Sequence, residues 1–321
     1  MKRRTMSTPL HKLAADLERW IRTSAHPLAV ILGHTASGKT GLSIALALEL
    51  KQRGIETEII NADSRQCYRH LDIGTAKIRA EEMRGIEHHL LNALDPKEKL
   101  TAAWYQEHAM RLIYEIQGRG ALPLLVGGSM LYISSVIDGL KLVPPADPEF
   151  RRRLASLYEA DGGLFLLALL REIDSETAAG IHPNNKPYVI RALEIYETTK
   201  VKPSAAKVRT ESPYDLRMMG IRWPREELTR RIDERTRALL RTGWMEEVQS
   251  LIERGYLSSD PGMESHGYRE IMEAIHSGDP DPEKLAEEIS SRTRQYAKRQ
   301  MTWWKDDPRI HWIERGGIEM P

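Results

Sequence analysis

A complete phosphate-loop pattern, Gly-x-x-x-x-Gly-Lys-Thr, begins at residue 33 and ends at residue 40. Such a loop turns several backbone N–H groups toward a phosphate, while its lysine reaches the terminal phosphates and its hydroxyl can ligate Mg²⁺. The alternative is a glycine-rich helix entrance that holds no ligand. We predict a site for a diphosphate or triphosphate, with Mg²⁺ at Thr40, formed by Gly33, His34, Thr35, Ala36, Ser37, Gly38, Lys39 and Thr40.

A second polar segment, which includes Asp63 and Ser64, follows an apolar stretch at 57–61. In a parallel sheet the carboxyl ends of the strands meet at one edge, so both side chains are expected to face the same crevice as the phosphate loop. A carboxylate there could ligate Mg²⁺ or act as a general base, although a turn or helix-capping residue is the alternative. The next apolar stretch, 122–126, ends in Gly127 and Gly128, which permit close approach of a ligand; a tight turn is the alternative.

Strands and helices must position these two segments. The hydrophobic pattern of the chain predicts an α/β fold. Strands are predicted over 28–32, 57–61, 122–126, 216–223 and 309–313, and helices over 39–52, 101–117, 129–138, 224–254, 266–277 and 282–305. Strands that alternate with helices indicate a parallel sheet flanked by helices. A proline-rich stretch, 143–148, precedes a region with helical pattern only. We predict a phosphate-loop core of residues 1–140 and 205–321, carrying a small all-helical insertion at 141–204.

The composition limits the kinds of binding surface, cysteine site and cellular location that the chain can have. Forty-seven Lys and Arg balance 46 Asp and Glu, so any nucleic-acid surface must be local. The single cysteine argues against a disulfide framework and a cysteine-rich zinc site. The basic start is not followed by an apolar stretch, and no apolar run approaches the roughly 20 residues of a membrane helix. We expect a cytoplasmic protein without membrane segments.

The motifs together resemble the tRNA dimethylallyltransferases, which prenylate the adenosine beside the anticodon. The resemblance covers nearly the whole chain, and its matching segments are Gly33–Thr40, Asn61–Ser64, Gln66, Tyr68, Asp72–Lys77, Leu124–Tyr132, Ile181–Asn184, Arg191–Glu194, Gly267–Glu270 and Thr293–Trp303. The family fold is a P-loop NTPase-like core with a helical insertion, which agrees with the predicted layout. The resemblance implies that the loop holds the diphosphate of dimethylallyl diphosphate instead of ATP.

The resemblance also implies roles for individual residues. Asp63 would remove the amine proton, Lys39 and Thr40 would act at the diphosphate, and Arg231 would be a further diphosphate ligand. The residues implied to bind the tRNA anticodon stem-loop, including part of the helical insertion, are Asp63, Ser64, Arg65, Gln66, Ser129, Arg151, Pro187, Tyr188, Val189, Ile190, Arg191, Glu264, Ser265, His266, Gly267, Tyr268 and Arg269. Four positions depart from the family pattern and could reshape the base-reading pocket: His34, Arg65, Cys67 and His266.

A basic stretch near the end, 291–305, interleaves cations with Tyr296, Trp303 and Trp304. This composition suits RNA phosphates and stacked bases, but the aromatic spacing equally suits a helix core. Two alternative functions stay open: a prenyltransferase acting on free adenine nucleotides, and a phosphate-loop small-molecule kinase. The helical insertion and the basic stretch favour the tRNA substrate, because a mononucleotide needs no such surface. We expect a monomer.

Overall fold

The computed structural model describes residues 9–140, 142–143, 146–206, 211–278 and 280–314. The chain divides into two compact units. One consists of Met1–Val136 and Pro213–Pro321, and the other of Ile137–Ser212. The predicted insertion, 141–204, lies inside the second unit. Among the described residues, no helix combines the length and the apolarity needed to cross a membrane.

A six-stranded sheet forms the first unit, with the strand order β3-β2-β4-β1-β5-β6 and parallel pairing throughout. The strands are β1 (Pro27–Gly33), β2 (Thr57–Ala62), β3 (His88–His89), β4 (Leu122–Gly127), β5 (Asp215–Arg222) and β6 (Ile310–Glu314). Residues 28–32 of β1 have no solvent exposure, as expected for a central strand covered on both faces. The predicted α/β class is confirmed. Strand β3 was not predicted, because two residues are too few to show the alternating hydrophobic pattern of a strand.

In the part of the chain described before residue 138, four helices alternate with the strands: α1 (Pro9–Ile21), α2 (Lys39–Gln52), α3 (Ala102–Gly118) and α4 (Met130–Ile137). Apolar residues of α1 and α2 pack against β1, β2 and β4 in one buried cluster. The start of α3 is fixed by Thr101, whose side chain accepts a hydrogen bond from the Trp104 N–H. This packing anchors the strands from whose ends the site residues project.

The second unit is all-helical within its described residues, as predicted. Its helices are α5 (Pro148–Asp161), α6 (Leu164–Ile173), α7 (Ser175–Ala179), α8 (Lys186–Thr199) and α9 (Pro203–Ala206). Helix α5 begins with the Asp147 cap followed by proline, a favourable pair at a helix start. Leu154, Leu166 and Leu170 are buried together with residues of α8. This unit therefore has its own hydrophobic core.

The chain then returns to the first unit, with α10 (Arg225–Leu239), α11 (Met245–Glu253), α12 (Tyr268–Ser277) and α13 (Pro282–Trp304). The single helix predicted over 224–254 is wrong. A π-helical turn, Leu240–Trp244, separates α10 from α11, and Gly243 within it has φ 105°. A positive φ is favourable for glycine only, so this residue sets the break in the helix.

Candidate functional site

A cavity of about 690 Å³ lies in the first unit at the carboxyl ends of β2 and β4. Thr35–Thr40 form one part of its wall, and Asp63–Gln66 form another. Residues of α10 and α13 complete the wall. The structure therefore brings the phosphate loop and the Asp63 segment to one cavity, as the position of both segments after parallel strands predicts.

Lys39 lies at the start of α2 and is folded back onto its own loop. Its Nζ donates to the carbonyl oxygens of Gly33 at 3.0 Å and His34 at 2.8 Å. Burial lowers the pKa of Lys39 to about 8, the charge of Asp63 acts in the opposite direction, and Arg235 lowers the pKa further. The lysine thus has two neutral acceptors, which an entering phosphate could replace with a full negative charge.

Two arginines of α10 form hydrogen bonds with the phosphate loop. Arg231 donates from Nε to the Ala36 carbonyl at 3.1 Å and stacks on Trp223, with 4.3 Å between its guanidinium carbon and the ring centroid. Arg235 donates to Thr35 Oγ1 at 3.1 Å. The spacing of four residues places both arginines on one face of the helix. Together with Lys39 they give this end of the cavity three basic side chains.

His34 does not line the cavity, although it is a loop residue. Its side chain is 1% exposed, and Nδ1 lies 2.9 Å from the Thr35 carbonyl oxygen. Burial lowers the pKa of His34 to about 4, so the imidazole is neutral near pH 7. Because a carbonyl only accepts, Nδ1 carries the proton. His34 therefore supports the loop and adds no charge to the site.

Asp63 is held by a turn at the end of β2. One carboxylate oxygen accepts the Arg65 N–H at 2.9 Å, and the Asp63 N–H donates to Asn61 Oδ1 at 3.0 Å. Within the described part of the chain, the other carboxylate oxygen has no hydrogen-bond partner. Asp63 thus has the predicted role in a turn and still offers one carboxylate oxygen to a ligand.

The side chains next to Asp63 connect the strand ends. Ser129, after β4, accepts the Ser64 N–H at 2.9 Å and also hydrogen-bonds Tyr296 of α13. Burial raises the pKa of Tyr296, and the charge of Asp63 acts in the same direction. Gln66 donates from Nε2 to the carbonyls of Thr75 and Ala76. Because a carbonyl only accepts, the amide oxygen of Gln66 is the atom left for a ligand.

The segment 264–269 contributes unequally to the site. Ser265, His266 and Tyr268 line the cavity, but Tyr268 has no solvent exposure and donates its hydroxyl to Glu247 at 2.5 Å. The Gly267 N–H is bonded within its own helix start, and Arg269 pairs with Glu273 on the exposed face of α12. Glu264 lines a smaller cavity of about 360 Å³. Ser64 and Arg65 line both cavities.

The predicted RNA residues of the helical unit differ in exposure. Val189 and Ile190 are buried in the core of that unit, so their side chains are not at the surface. Pro187 and Tyr188 are exposed, and Tyr188 is 57% exposed. Arg151 and Arg191 both pair with the carboxylate of Glu194, which is fully buried, at 3.2 and 3.3 Å. Arg151 therefore has a structural role in addition to any role in RNA binding.

The oxygen atoms near the phosphate loop fit Mg²⁺. Thr40 is exposed, and the cavity that it lines also contains the carboxylate of Asp63. Hydroxyl and carboxylate oxygens are hard ligands of the kind that Mg²⁺ prefers, and it usually shares them with substrate phosphates and water. Thr40 is therefore the residue that would hold this ion, with the diphosphate and water as its other ligands.

Several residues that form the site were not predicted. Gln300 of α13 accepts the Thr35 N–H at 3.1 Å and donates to the Gly128 carbonyl at 2.8 Å, which connects the loop to β4. A Cβ on Gly128 would lie 2.3 Å from Gln300 Nε2. The Gln300 side chain therefore occupies the space beside Gly128 that was predicted for a ligand. Arg235 could have been found from its spacing with Arg231. Gln300 carries no such signal.

The aromatic residues of α13 have different environments. Trp304 is buried, and Trp303 is 42% exposed and donates from Nε1 to Ser134 Oγ at 3.2 Å. Tyr296 lines the large cavity and lies edge-on to His266, with 5.9 Å between ring centroids. One aromatic of the three thus belongs to the helix core, and one faces the site.

Comparison with known proteins gives one family. Residues 66–307 match the family model described as IPP transferase. The tRNA dimethylallyltransferase of Symbiobacterium thermophilum is 43% identical over 91% of both chains. The full-length tRNA isopentenylpyrophosphate transferase of Bacillus halodurans is 39% identical over 90% of both chains, with a TM-score of 0.66. A eukaryotic dimethylallyltransferase acting on tRNA has a TM-score of 0.75 at 29% identity, over 90% of this chain and 74% of that one. With the parallel sheet and the shared cavity, these matches show that the chain belongs to the IPP transferase family.

Proposed function

We propose that this protein transfers the dimethylallyl group from dimethylallyl diphosphate to the exocyclic amine of an adenosine in tRNA, the one 3′-adjacent to the anticodon, and releases diphosphate. The observation that carries the proposal is the single cavity lined by the phosphate loop on one side and by Asp63, Ser64 and Gln66 on the other. A donor diphosphate and an acceptor base can meet there. The relatives named above are enzymes of this class.

The basic side chains account for the departure of the diphosphate. When the allylic C–O bond breaks, negative charge grows on the leaving oxygen and positive charge grows on the prenyl carbon. Lys39 and Arg235 line the cavity at the loop, and their charges stabilise the leaving group most when that charge is fully developed. Arg231 stacks on Trp223 and holds the loop carbonyl of Ala36, so it also keeps the loop in shape.

The polar side chains Asp63 and Gln66 can bind the acceptor adenine and remove a proton from its amine. The exocyclic amine of adenine is a weak nucleophile, and a proton must leave its nitrogen as the new C–N bond forms. The unpaired carboxylate oxygen of Asp63 can accept that proton. The amide oxygen of Gln66 can accept a hydrogen bond from an amine but not from a carbonyl, which favours adenine over guanine. The base must leave its stack to reach the cavity.

Mg²⁺ at Thr40 is part of the proposal, and it would neutralise diphosphate charge when bound. The helical unit would hold the anticodon stem-loop through exposed residues such as Tyr188 and Pro187, because exposed aromatic rings can stack on bases. The monomeric state and the cytoplasmic location stay predictions from the sequence.

The test is transfer of label from dimethylallyl diphosphate to three acceptors: tRNA, AMP and ATP, each with Mg²⁺ and with a chelator. We expect label in tRNA only, with loss of activity on chelation. Inorganic pyrophosphate should compete with the donor, and ATP should compete poorly. Label in AMP or ATP would establish the free-nucleotide alternative. ATP hydrolysis without prenyl transfer would instead support a kinase-like enzyme.

A further inference from the structure

One carboxylate outside the cavity holds a segment that forms part of it. Glu247, in the first turn of α11, accepts the backbone N–H groups of Asp72 at 3.0 Å, Ile73 at 2.7 Å and Gly74 at 3.3 Å. It also accepts the hydroxyl of Tyr268 at 2.5 Å. Three successive N–H groups form an anion-binding concavity, and here the chain fills it with its own carboxylate. We call residues 72–75 the bridging segment.

The bridging segment also has no room to shift toward α11. A Cβ on Gly74 would lie 2.0 Å from the indole nitrogen of Trp244, and one on Gly267 would lie 2.1 Å from the same ring. The backbone is therefore packed directly on the buried Trp244 side chain. Packing at this density transmits a displacement of one group to its neighbours.

A buried lysine, Lys77, also holds the first residue of the segment. Lys77 donates from Nζ to the Tyr68 carbonyl at 2.6 Å, to Asp72 Oδ1 at 2.7 Å and to Asn92 Oδ1 at 2.6 Å. Two charged side chains therefore fix the segment: Glu247 binds its backbone N–H groups, and Lys77 binds the Asp72 carboxylate.

The last residue of the bridging segment joins the two halves of the cavity. The Thr75 carbonyl oxygen accepts from Gln66 Nε2 at 3.2 Å and from Arg235 Nη2 at 3.3 Å. Arg235 also donates to Thr35 in the phosphate loop. One oxygen, with two lone pairs, therefore orients the arginine on the diphosphate side and the glutamine on the acceptor side.

From these contacts we infer that Glu247 is a positioning residue, which couples donor binding to acceptor binding through the Thr75 carbonyl. Ligand at Arg235 fixes the Thr75 carbonyl and thereby the amide of Gln66, and the reverse holds because coupling is reciprocal. Glu247 limits the movement of the backbone that carries this oxygen. The inference rests on the proposed function, since it assigns the two sides of the cavity to two substrates.

The test measures binding rather than turnover. The dissociation constant of an adenosine-containing tRNA stem-loop is determined with and without inorganic pyrophosphate, for the wild type, Glu247→Gln and Glu246→Gln. Glu246 lies in the same helical turn and is exposed, so its variant removes the same charge without touching the bridging segment. Tyr268→Phe is a second, milder variant that removes one of the four donors to Glu247.

We expect pyrophosphate to tighten stem-loop binding about fivefold or more in the wild type and in Glu246→Gln. In Glu247→Gln the tightening should disappear, and in Tyr268→Phe it should be reduced, with both variants folded by circular dichroism. If the wild type shows no tightening, or if Glu247→Gln retains it, the inference is wrong. The proposed function fails separately, when the wild type transfers no prenyl label to tRNA. If Glu247→Gln does not fold, the test rests on Tyr268→Phe. Tightening by pyrophosphate that is as strong in Tyr268→Phe as in the wild type would then show that the inference is wrong.

Discussion

Burial sets the charge of the two basic side chains in the phosphate loop. His34 and Lys39 both have pKa values lowered by burial, to about 4 and about 8. Near neutral pH the imidazole is uncharged and the ammonium is still charged. The loop thus offers a cation that is poorly solvated before the ligand arrives, which strengthens its interaction with a diphosphate.

The lowered pKa of Lys39 predicts a pH dependence of donor binding. A bound diphosphate favours the charged lysine, so binding takes up a proton once the pH exceeds the pKa of the ligand-free protein. The affinity for pyrophosphate should therefore fall as the pH rises through about 8, by up to about tenfold per pH unit. Isothermal titration in buffers of different pH measures this slope.

Lys39→Arg is the control for that titration, because arginine stays charged across this range. Pyrophosphate ionises in the same way in both titrations, so comparing the two proteins also corrects for the ionisation of the ligand. An identical pH slope in the wild type and in Lys39→Arg would contradict a role for Lys39 ionisation.

Asp63 as the base leads to a second expectation. Asp63→Asn keeps the shape and the hydrogen bond to the Arg65 N–H but cannot accept a proton. Its kcat should fall by roughly 10² or more, while the tRNA dissociation constant changes much less. Single-turnover rates at saturating tRNA separate the two effects. Normal chemistry with greatly weakened tRNA binding would make Asp63 a recognition residue.

The break between α10 and α11 shows what periodicity leaves undetermined. Apolar spacing continues from α10 into α11, so the sequence indicates one helix. The positive φ of Gly243 ends the first helix and lets Trp244 and Glu247 reach the bridging segment. Glycine is tolerated in helices, so its presence alone does not predict a kink.

Gly243→Ala should therefore destabilise the protein. Alanine at φ 105° is strained, and we expect the free energy of unfolding to fall by about 1 kcal/mol or more. Gly118→Ala is the matched control, because that glycine ends α3 without a positive φ and has open space around it. Denaturant unfolding compares the two. Equal stability of both variants would show that the kink is not fixed by glycine.

For the whole molecule, the sequence predicted the α/β class, five of the six strands that the structure describes and the helical character of the described residues of the second unit. Strands such as β1 are continuous apolar runs between helices, and such a run can be recognised from consecutive residues alone. The contacts that complete the site are not local. Arg235 and Gln300 reach Thr35 from positions 200 and 265 residues away, which no spacing rule connects. Likewise, sequence alone did not distinguish exposed Tyr188 from its buried neighbours Val189 and Ile190.

The division into two units predicts that RNA affinity can be reduced without loss of donor binding. Tyr188→Ala should weaken binding of the tRNA stem-loop by about fivefold or more, the usual effect of losing one stacked base. The pyrophosphate affinity should stay unchanged. Tyr114→Ala, at a tyrosine of α3 that is 79% exposed, is the control. Equal effects of the two variants on RNA binding would argue against a contact at Tyr188.

Prenyl transfer to one adenosine of tRNA can be tested with two transcripts that differ at a single nucleotide. One carries adenosine 3′-adjacent to the anticodon, and the other carries guanosine there. With dimethylallyl diphosphate and Mg²⁺, nucleoside mass spectrometry should find a dimethylallyl-adenosine in the first transcript and no prenylated nucleoside in the second. Equal prenylation of both transcripts, or prenylation of neither while AMP is modified, would contradict the proposed function.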